Sequence, residues 1–302
     1  MAKSATKTVV PPSRKVGGAA PVAKSPVKGA TGKAPAAKSA AHAPLTTGPE
    51  TRAKAGPTAE TACTPMAAGA TAPMPAPFVE IVARTHGIEV PATPHLGPNM
   101  RRAINEGRYE ARAIRAGLAC IPQGARLLEL GTGAGIVGAV LARHLAPSAV
   151  LSVEANPGLI DSLRELHAHN GLSEVISVRN AVVLSAPDAP ASVDFFLRGN
   201  FLGSSLTPLK IEKATPITVP VLRYADLAAE FPHDAIMMDI EGGELDFLRH
   251  ADLSAVKVVV GGFHREIYGR PGMQECRRLL RAQGFEMDEE QSRNGVWAWL
   301  RR

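Results

Sequence analysis

The stretch that decides the fold is LLELGTGAGIVG, at residues 127–138. An apolar run, ARLLEL at 125–130, leads into its glycines and predicts a buried strand, and the segment after Gly135 predicts a helix. A strand, a glycine-rich turn and a helix N-terminus together form a place where backbone N–H groups approach a ligand closely. The stretch therefore indicates the ligand-binding loop of an α/β protein.

Short apolar runs and longer amphipathic segments alternate from this loop to the C-terminus, a pattern typical of a parallel sheet with helices on both faces. Strands are predicted at 125–130, 149–155, 175–183, 235–242 and 256–263. Helices are predicted at 135–146, 157–171, 243–251 and 272–284, and at 98–120 in two pieces broken near Gly107. Two further pairs of strands are predicted, a hairpin insertion at 192–201 and 214–224 and a closing antiparallel pair at 285–290 and 295–302.

The N-terminal part has a different composition. Residues 1–76 are dominated by Ala, Pro, Gly, Lys, Ser and Thr, and Phe78 is the first aromatic residue of the chain. Such a segment has too little apolar surface to offset the entropy lost on ordering. We therefore predict a disordered basic tail at 1–76 and one folded domain at 77–302.

The positive charge of the chain is concentrated in that tail. Residues 1–78 hold ten Lys or Arg and two acids, which gives +8, whereas the whole chain carries +6. The folded part is therefore close to −2, and the pI of 9.4 reflects the tail. Spaced lysines favour weak, non-specific binding to polyanions, but the tail lacks aromatic residues on which bases could stack. A polyanion-binding arm and a merely solubilising extension both remain open.

Cysteine usage and hydropathy indicate the compartment. Cys63, Cys120 and Cys276 are widely scattered and form no C-x-x-C pair, which favours a reducing environment over a disulfide framework or a structural zinc site. No apolar run reaches the length of a membrane span, and the N-terminus lacks a signal-peptide core. We expect a cytoplasmic protein.

The glycine pattern distinguishes between two cofactors. It is best described as acid-x-Gly-x-Gly-x-Gly, from Glu129 through Gly131, Gly133 and Gly135. The G-x-G-x-x-G pattern of dinucleotide loops is also present, but its register begins beyond the first glycine after the strand. A carboxylate at the strand end suits the cationic amino-acid part of S-adenosylmethionine and would repel a pyrophosphate. The loop therefore predicts S-adenosylmethionine.

The ends of the next two strands supply groups that suit the same ligand. Glu154 lies 25 residues after Glu129, at the end of the second strand, where one carboxylate accepts both hydroxyls of an adenosine ribose. The third strand reaches Asn180, which we expect to contact the adenine edge.

A second group of acids follows a later strand. In IMMDIEGGELDFL (236–248), Asp239, Glu241 and Glu244 lie at and just beyond a carboxyl end, where ligands bind in open α/β sheets. Acids there act as general bases or position an acceptor hydroxyl, although Glu244 also suits a helix N-terminus. His264 follows the next strand. It could act as a base, or it could be a histidine packed or hydrogen-bonded at the strand end. The residue spacing suggests no metal ligands, so we predict no metal site.

These motifs resemble those of a known family. RYE (108–110), LLELGTGAGIVG, SVEANP (152–157) and MMDIEGGELDFL (237–248), in this order, are similar to the FkbM-type methyltransferases over about residues 100 to 290. The resemblance implies a Rossmann-like seven-stranded sheet and methyl transfer from S-adenosylmethionine, typically to a hydroxyl of a sugar or polyketide-like small molecule.

The resemblance also implies roles for individual residues. Glu129, Gly131, Gly133 and Glu154 would hold the cofactor. Tyr109 and Glu110, in the preceding helix, would close over it or pack that helix against the sheet. Members of the family often carry an acid two residues before the histidine, where this chain has Gly262.

Three other functions stay open. A nucleic-acid methyltransferase would use the tail as an arm, and a non-enzymatic binding protein would retain only the fold. A nicotinamide-dependent dehydrogenase would need the G-x-G-x-x-G pattern to start at the first glycine after the strand. The acceptor pocket is not readable from the sequence, and FLGSSL (201–206) suits either a pocket wall or a turn.

Overall fold

The computed structural model describes residues 79–198, 204–206 and 214–302, all within one compact unit, Ala72–Arg302. The predicted disordered tail, with its polyanion binding, and residues 201–203 of FLGSSL lie outside these residues. They stay predictions.

Strands and helices alternate along the described residues. The strands are β1 (Ile81–Thr85), β2 (Ile88–Pro91), β3 (Arg126–Leu130), β4 (Ala149–Glu154), β5 (Ile176–Asn180), β6 (Val182–Leu184), β7 (Ser192–Leu197), β8 (Thr215–Arg223), β9 (Ala235–Met238), β10 (Val258–Gly262), β11 (Phe285–Met287) and β12 (Val296–Arg301). The helices are α1 (Pro98–Asn105), α2 (Ala111–Cys120), α3 (Ile136–Leu145), α4 (Ile160–His169), α5 (Tyr224–Glu230), α6 (Glu244–His250) and α7 (Arg265–Ala282), and a 3-10 turn precedes α4.

Seven strands form the main sheet, in the order β5-β4-β3-β9-β10-β12-β11. All neighbours are parallel except β12, which runs antiparallel to both β10 and β11. The predicted Rossmann-like α/β fold is therefore confirmed, together with its closing antiparallel pair. From β3 the chain moves outward first to β4 and later to β9 on the other side, so the carboxyl end of β3 lies where a doubly wound sheet binds ligands.

Alternating side chains of the central strands build two apolar layers. Leu127 and Met237 pack into the layer that contains α2 and α3, whereas Leu128 and Met238 pack into the layer that contains α6 and α7. Because successive strand residues point to opposite faces, strands this apolar need helices on both sides. The helices on both faces are the predicted arrangement.

The predicted strand 175–183 is two strands in the structure. β5 ends at Asn180 because the amide of Asn180 donates to the carbonyl oxygens of Glu154 (2.9 Å) and Ala155 (3.0 Å). β6 then joins a separate three-stranded sheet, in the order β6-β8-β7. The antiparallel pairing of β7 with β8 confirms the predicted hairpin insertion.

The predicted strand 235–242 was too long. β9 ends at Met238 because Glu241 (φ 51°) and Gly242 (φ 103°) adopt left-handed backbone, which no strand accommodates. Residues 239–242 therefore form a loop at the carboxyl edge of the sheet.

The remaining elements before β3 and after β10 can also be compared with the sequence prediction. The break near Gly107 is confirmed, with left-handed φ of 65° between α1 and α2. The sequence did not predict the β1–β2 hairpin, nor the first turns of α7, which is kinked at Gly269. Among the helices described here, none is long and apolar enough to cross a membrane.

Candidate functional site

A cleft opens at the carboxyl edge of the sheet, next to the glycine loop. It encloses about 1440 Å³, open solvent included. Its walls come from the ends of β3, β4, β9 and β10, from the start of α2, and from the small sheet of β6, β7 and β8. The cleft therefore combines the predicted cofactor loop with the predicted acidic segment.

Glycine is required where the loop leaves β3. Gly131 has φ of 79°, and a β-carbon there would overlap the carbonyl oxygen of Asp239. Gly135 precedes α3 with φ of 78°, and a β-carbon there would lie 2.6 Å from a methyl of Leu163. The backbone of the loop is therefore too close to the residue after β9 and to α4 for a side chain at position 131 or 135.

Glu129 lies beneath the loop and is 1% exposed. The hydroxyl of Ser152 donates to its Oε2 at 2.5 Å, and the backbone N–H of Gly138 also donates to its carboxylate. Burial raises the pKa of Glu129 to about 7, although these two donors favour the charged form. The residue contributes to the cleft wall from this buried position.

Glu154 ends β4 and holds the tip of the loop. Its Oε2 accepts from the backbone N–H of Gly133 and its Oε1 from that of Asn156, both at 2.8 Å. Burial raises its pKa, against the effect of these backbone donors. The carboxylate lines the cleft beside Gly133.

Asn180 does not belong to the lining of the cleft, because its amide is committed to the backbone at the end of β4. Ala181 and Val182, which follow it, form the wall at this level.

Tyr109 and Glu110 cover the cleft from the start of α2. Tyr109 is hydrogen-bonded to the backbone of Ala134 in the glycine loop, and burial raises its pKa. Glu110 adopts left-handed backbone, with φ of 47°. Burial, followed by the negative charge of Glu241, raises the pKa of Glu110.

Asp239, Glu241 and His264 meet at one side of the cleft. Nε2 of His264 lies 3.5 Å from Oδ1 of Asp239 and 3.4 Å from Oε2 of Glu241. The structure therefore brings together the three residues that the sequence proposed as catalytic, from the β9–α6 loop and from the residue after Phe263.

Glu244 holds this group from behind. It is fully buried, and its Oε1 accepts from Nδ1 of His264 (3.0 Å) and from the backbone N–H groups of Ile240 and Gly242 (both 3.2 Å). The residue is the first of α6, but its carboxylate binds the preceding loop and the histidine. Glu244 thus fixes both the loop and the orientation of the imidazole.

Burial and the neighbouring charges shift the pKa values of Asp239 and His264. Burial raises the pKa of Asp239 to about 7, against the effect of His264. Burial alone would lower the pKa of His264, but the hydrogen bond to Glu244 and the charges of Asp239 and Glu241 raise it to about 9.

Gly262 has a steric function here. A β-carbon at this position would lie 2.9 Å from Oδ1 and 3.1 Å from Cγ of Asp239. The glycine therefore leaves the space that the Asp239 carboxylate occupies.

The described lining of the cleft is strongly acidic. It includes six carboxylates and no Lys, Arg or His; the acids are Glu110, Glu129, Glu154, Asp239, Glu241 and Asp246. The remaining walls are largely apolar and include Val182, Leu184, Phe195 and Leu206. Such a lining favours a cation and disfavours a pyrophosphate.

Ser152, the hydrogen-bond partner of Glu129, was not predicted from the sequence. It is fully buried in β4. The one available signal was a hydroxyl in an otherwise apolar strand, since a buried hydroxyl needs a partner.

The family of the chain follows from a match to a known family model. The model of the methyltransferase FkbM domain matches residues 137–287. The chain belongs to the FkbM methyltransferase family. No curated protein sequence matches the chain.

Solved structures with a similar fold include several methyltransferases. A protein of the NADB-Rossmann superfamily from Streptococcus agalactiae is 18% identical, with 63% of this chain and 67% of that chain covered and a TM-score of 0.39. Precorrin-6y C5,15-methyltransferase from Geobacter metallireducens is 12% identical, with 64% and 88% covered and a TM-score of 0.37. An O-methyltransferase from Bacillus cereus in complex with SAH is 16% identical, with 63% and 80% covered and a TM-score of 0.38.

Proposed function

We propose that this FkbM methyltransferase transfers a methyl group from S-adenosylmethionine to a hydroxyl of a small molecule, such as a sugar or a polyketide-like compound. The observation that carries the proposal is the acidic lining beside a glycine loop. S-adenosylmethionine brings a sulfonium and an ammonium group, whereas a nicotinamide dinucleotide brings a pyrophosphate that six carboxylates would repel.

The residues of this chain fit that cofactor in order along the cleft. Glu154, fixed by Gly133, is placed to accept the ribose hydroxyls, and Ala181 borders the adenine end. Gly131 and Gly133 line the cleft, where the backbone would approach the ligand, and Tyr109 would cover it. Gly135, predicted to hold the cofactor, is not part of this lining and packs against α4 instead. Glu129 supplies negative charge beneath the loop, near the cationic amino-acid part. Asn180 would act through the backbone of β4 and not by touching adenine.

The acceptor would bind between the apolar wall of the small sheet and the acidic group. Val182, Leu184 and Phe195 offer an apolar surface to a hydrocarbon framework. Asp239 and Glu241 line the cleft at one end and would hold the acceptor hydroxyl and receive its proton. Because the bound sulfonium is already a strong electrophile, alignment of the oxygen and exclusion of water supply most of the catalysis.

The proposed proton acceptor is Asp239. Burial raises its pKa to about 7, which suits a base that must take a proton near neutral pH. His264 and Glu244 act behind it by fixing the position of the acidic group.

Methyl transfer from radiolabelled S-adenosylmethionine to panels of hydroxylated sugars, polyketide-like alcohols and amines tests the proposal with the full chain. We expect labelled product with at least one alcohol, and a turnover about a hundredfold lower for Asp239→Asn. The matched control is Asp161→Asn, at a fully solvated aspartate of α4. Transfer to amines alone would contradict O-methylation, and cofactor binding without transfer to any acceptor would support a binding protein.

A further inference from the structure

We infer that Asp239, Glu241 and His264 form a binding site for a divalent cation on the acceptor side of the cleft. The sequence spacing gave no indication of such a site, because the three ligands come from two separate segments. One ligand atom from each residue lies within 4.8 Å of the others, and two of the three residues line the cleft.

The distances match those between ligands of one metal ion. Nε2 of His264 is 3.5 Å from Oδ1 of Asp239 and 3.4 Å from Oε2 of Glu241. Nitrogen and oxygen ligands about 2.0–2.2 Å from a tetrahedral ion lie roughly 3.3–3.6 Å from one another. These two separations therefore match those around a single cation.

The second observation is an orphaned polar atom. Oδ1 of Asp239 is buried and has no hydrogen-bond partner within the described part of the chain. A proton on Nε2 of His264 does not satisfy it, because the contact at 3.5 Å fails the geometry of a hydrogen bond. Buried carboxylate oxygens need a donor or a cation, and the space facing this one is bordered by two further ligand atoms.

The third observation is the arrangement behind the histidine. Nδ1 of His264 faces the buried carboxylate of Glu244 at 3.0 Å. Histidines that bind metals usually donate their second ring N–H to a carboxylate, which fixes the ring and directs the free nitrogen lone pair at the ion. Glu244 is therefore a positioning residue for the proposed ligand.

The donor set indicates the class of cation. One imidazole and two carboxylates suit Mn²⁺, Fe²⁺ or Zn²⁺, whereas Mg²⁺ and Ca²⁺ prefer oxygen ligands alone. Three protein ligands leave at least one coordination position open toward the cleft, as in catalytic sites.

The open position gives the cation a part in the reaction, a step that rests on the proposed function. An acceptor hydroxyl bound there becomes more acidic and loses its proton to water, so that Asp239, when the cation is bound, acts as a ligand in place of the base role proposed above. Its oxygen then bonds to the methyl carbon while the carbon–sulfur bond breaks, and the sulfur keeps that electron pair as S-adenosylhomocysteine leaves. The released proton balances the positive charge lost by the sulfonium.

The test is titration of the tag-free, chelator-treated full chain with MnCl₂, followed by electron paramagnetic resonance, and with ZnCl₂, followed by calorimetry. We expect one saturable site per chain. His264→Ala and Glu241→Gln should weaken binding about tenfold or more, and Glu244→Gln, which leaves all ligands in place, by about 10–100-fold. Asp161→Asn and His250→Ala, at exposed positions, are the matched controls.

The outcomes separate the cation site from the proposed function. The absence of saturable Mn²⁺ or Zn²⁺ binding, or equal binding by Glu241→Gln and wild type, would overturn the inference. Circular dichroism identifies any variant that fails to fold. The remaining folded variants then decide whether the cation binds at these three residues. S-adenosylhomocysteine binding, measured in the same samples, tests the cofactor separately from the cation.

Discussion

The carboxylate of Glu129 occupies the space that a side chain at position 138 would fill. A β-carbon on Gly138 would lie 2.7 Å from Oε1 and 2.8 Å from Cδ of Glu129. The glycine lies within the first turn of α3, and its N–H donates to the same carboxylate. The helix and the buried acid beneath the cofactor loop are therefore one structural unit.

Gly138→Ala should disturb that unit. The added methyl overlaps a carboxylate that also accepts from Ser152 and has no free space, so we expect a loss of about 1–3 kcal/mol in the free energy of unfolding. Urea denaturation measures it. Gly97→Ala is the control, since a β-carbon there meets nothing within 4 Å at an ordinary φ of −70°. Equal stability of the two variants would contradict the overlap.

Two adjacent glycines of β10 should behave differently. In Gly262→Ala the new methyl meets the movable carboxylate of Asp239, so we expect turnover to fall about tenfold or more with little change in stability. In Gly261→Ala the methyl meets the backbone carbonyl of Met238, so we expect the protein to be destabilised. Thermal denaturation and methyl-transfer rates separate the effects. Full activity in Gly262→Ala would mean that the position of Asp239 is unimportant.

His167 should make the fold sensitive to acid. It is 1% exposed, neither ring nitrogen has a hydrogen-bond partner among the described residues, and burial lowers its pKa to about 4. Below the ordinary pKa of about 6.5 the unfolded chain gains a proton that the folded chain refuses, so stability falls as the pH drops from 6.5 towards 4. The full effect is about 3 kcal/mol.

His167→Leu should remove this contribution. Urea denaturation at pH 7 and pH 5 should show a smaller loss of stability in the variant than in wild type. The control is His250→Leu, at an exposed position of α6. An unchanged difference between the two pH values would show that His167 is protonated in the folded protein.

The fold was predictable because its central strands are buried on both faces. β9 is a short, continuous apolar run, β3 is apolar except for Arg126 and Glu129, and the glycines after β3 identify the loop. The split at Asn180 was not predictable, because it depends on hydrogen bonds from the Asn180 side chain to the backbone of Glu154 and Ala155, which no local pattern reveals.

The candidate site was predictable as a set of residues but not as a geometry. Asp239 and Glu241 follow a strand end, where ligands bind. The burial of Glu244 was not visible, since an acid in the first turn of a helix is ordinarily solvated. Its contact with His264 spans 20 residues and depends on the pairing of β9 with β10.

We propose that this chain binds S-adenosylmethionine through Glu154 and the glycine loop. Calorimetric titration of the full chain with S-adenosylhomocysteine and with NAD tests this proposal, with Glu154→Ala compared against Glu174→Ala at an exposed position. We expect micromolar binding of S-adenosylhomocysteine only, weakened at least about tenfold, or 1.4 kcal/mol, in Glu154→Ala and unchanged in the control. Binding of NAD instead, or S-adenosylhomocysteine affinity indifferent to Glu154, would contradict it.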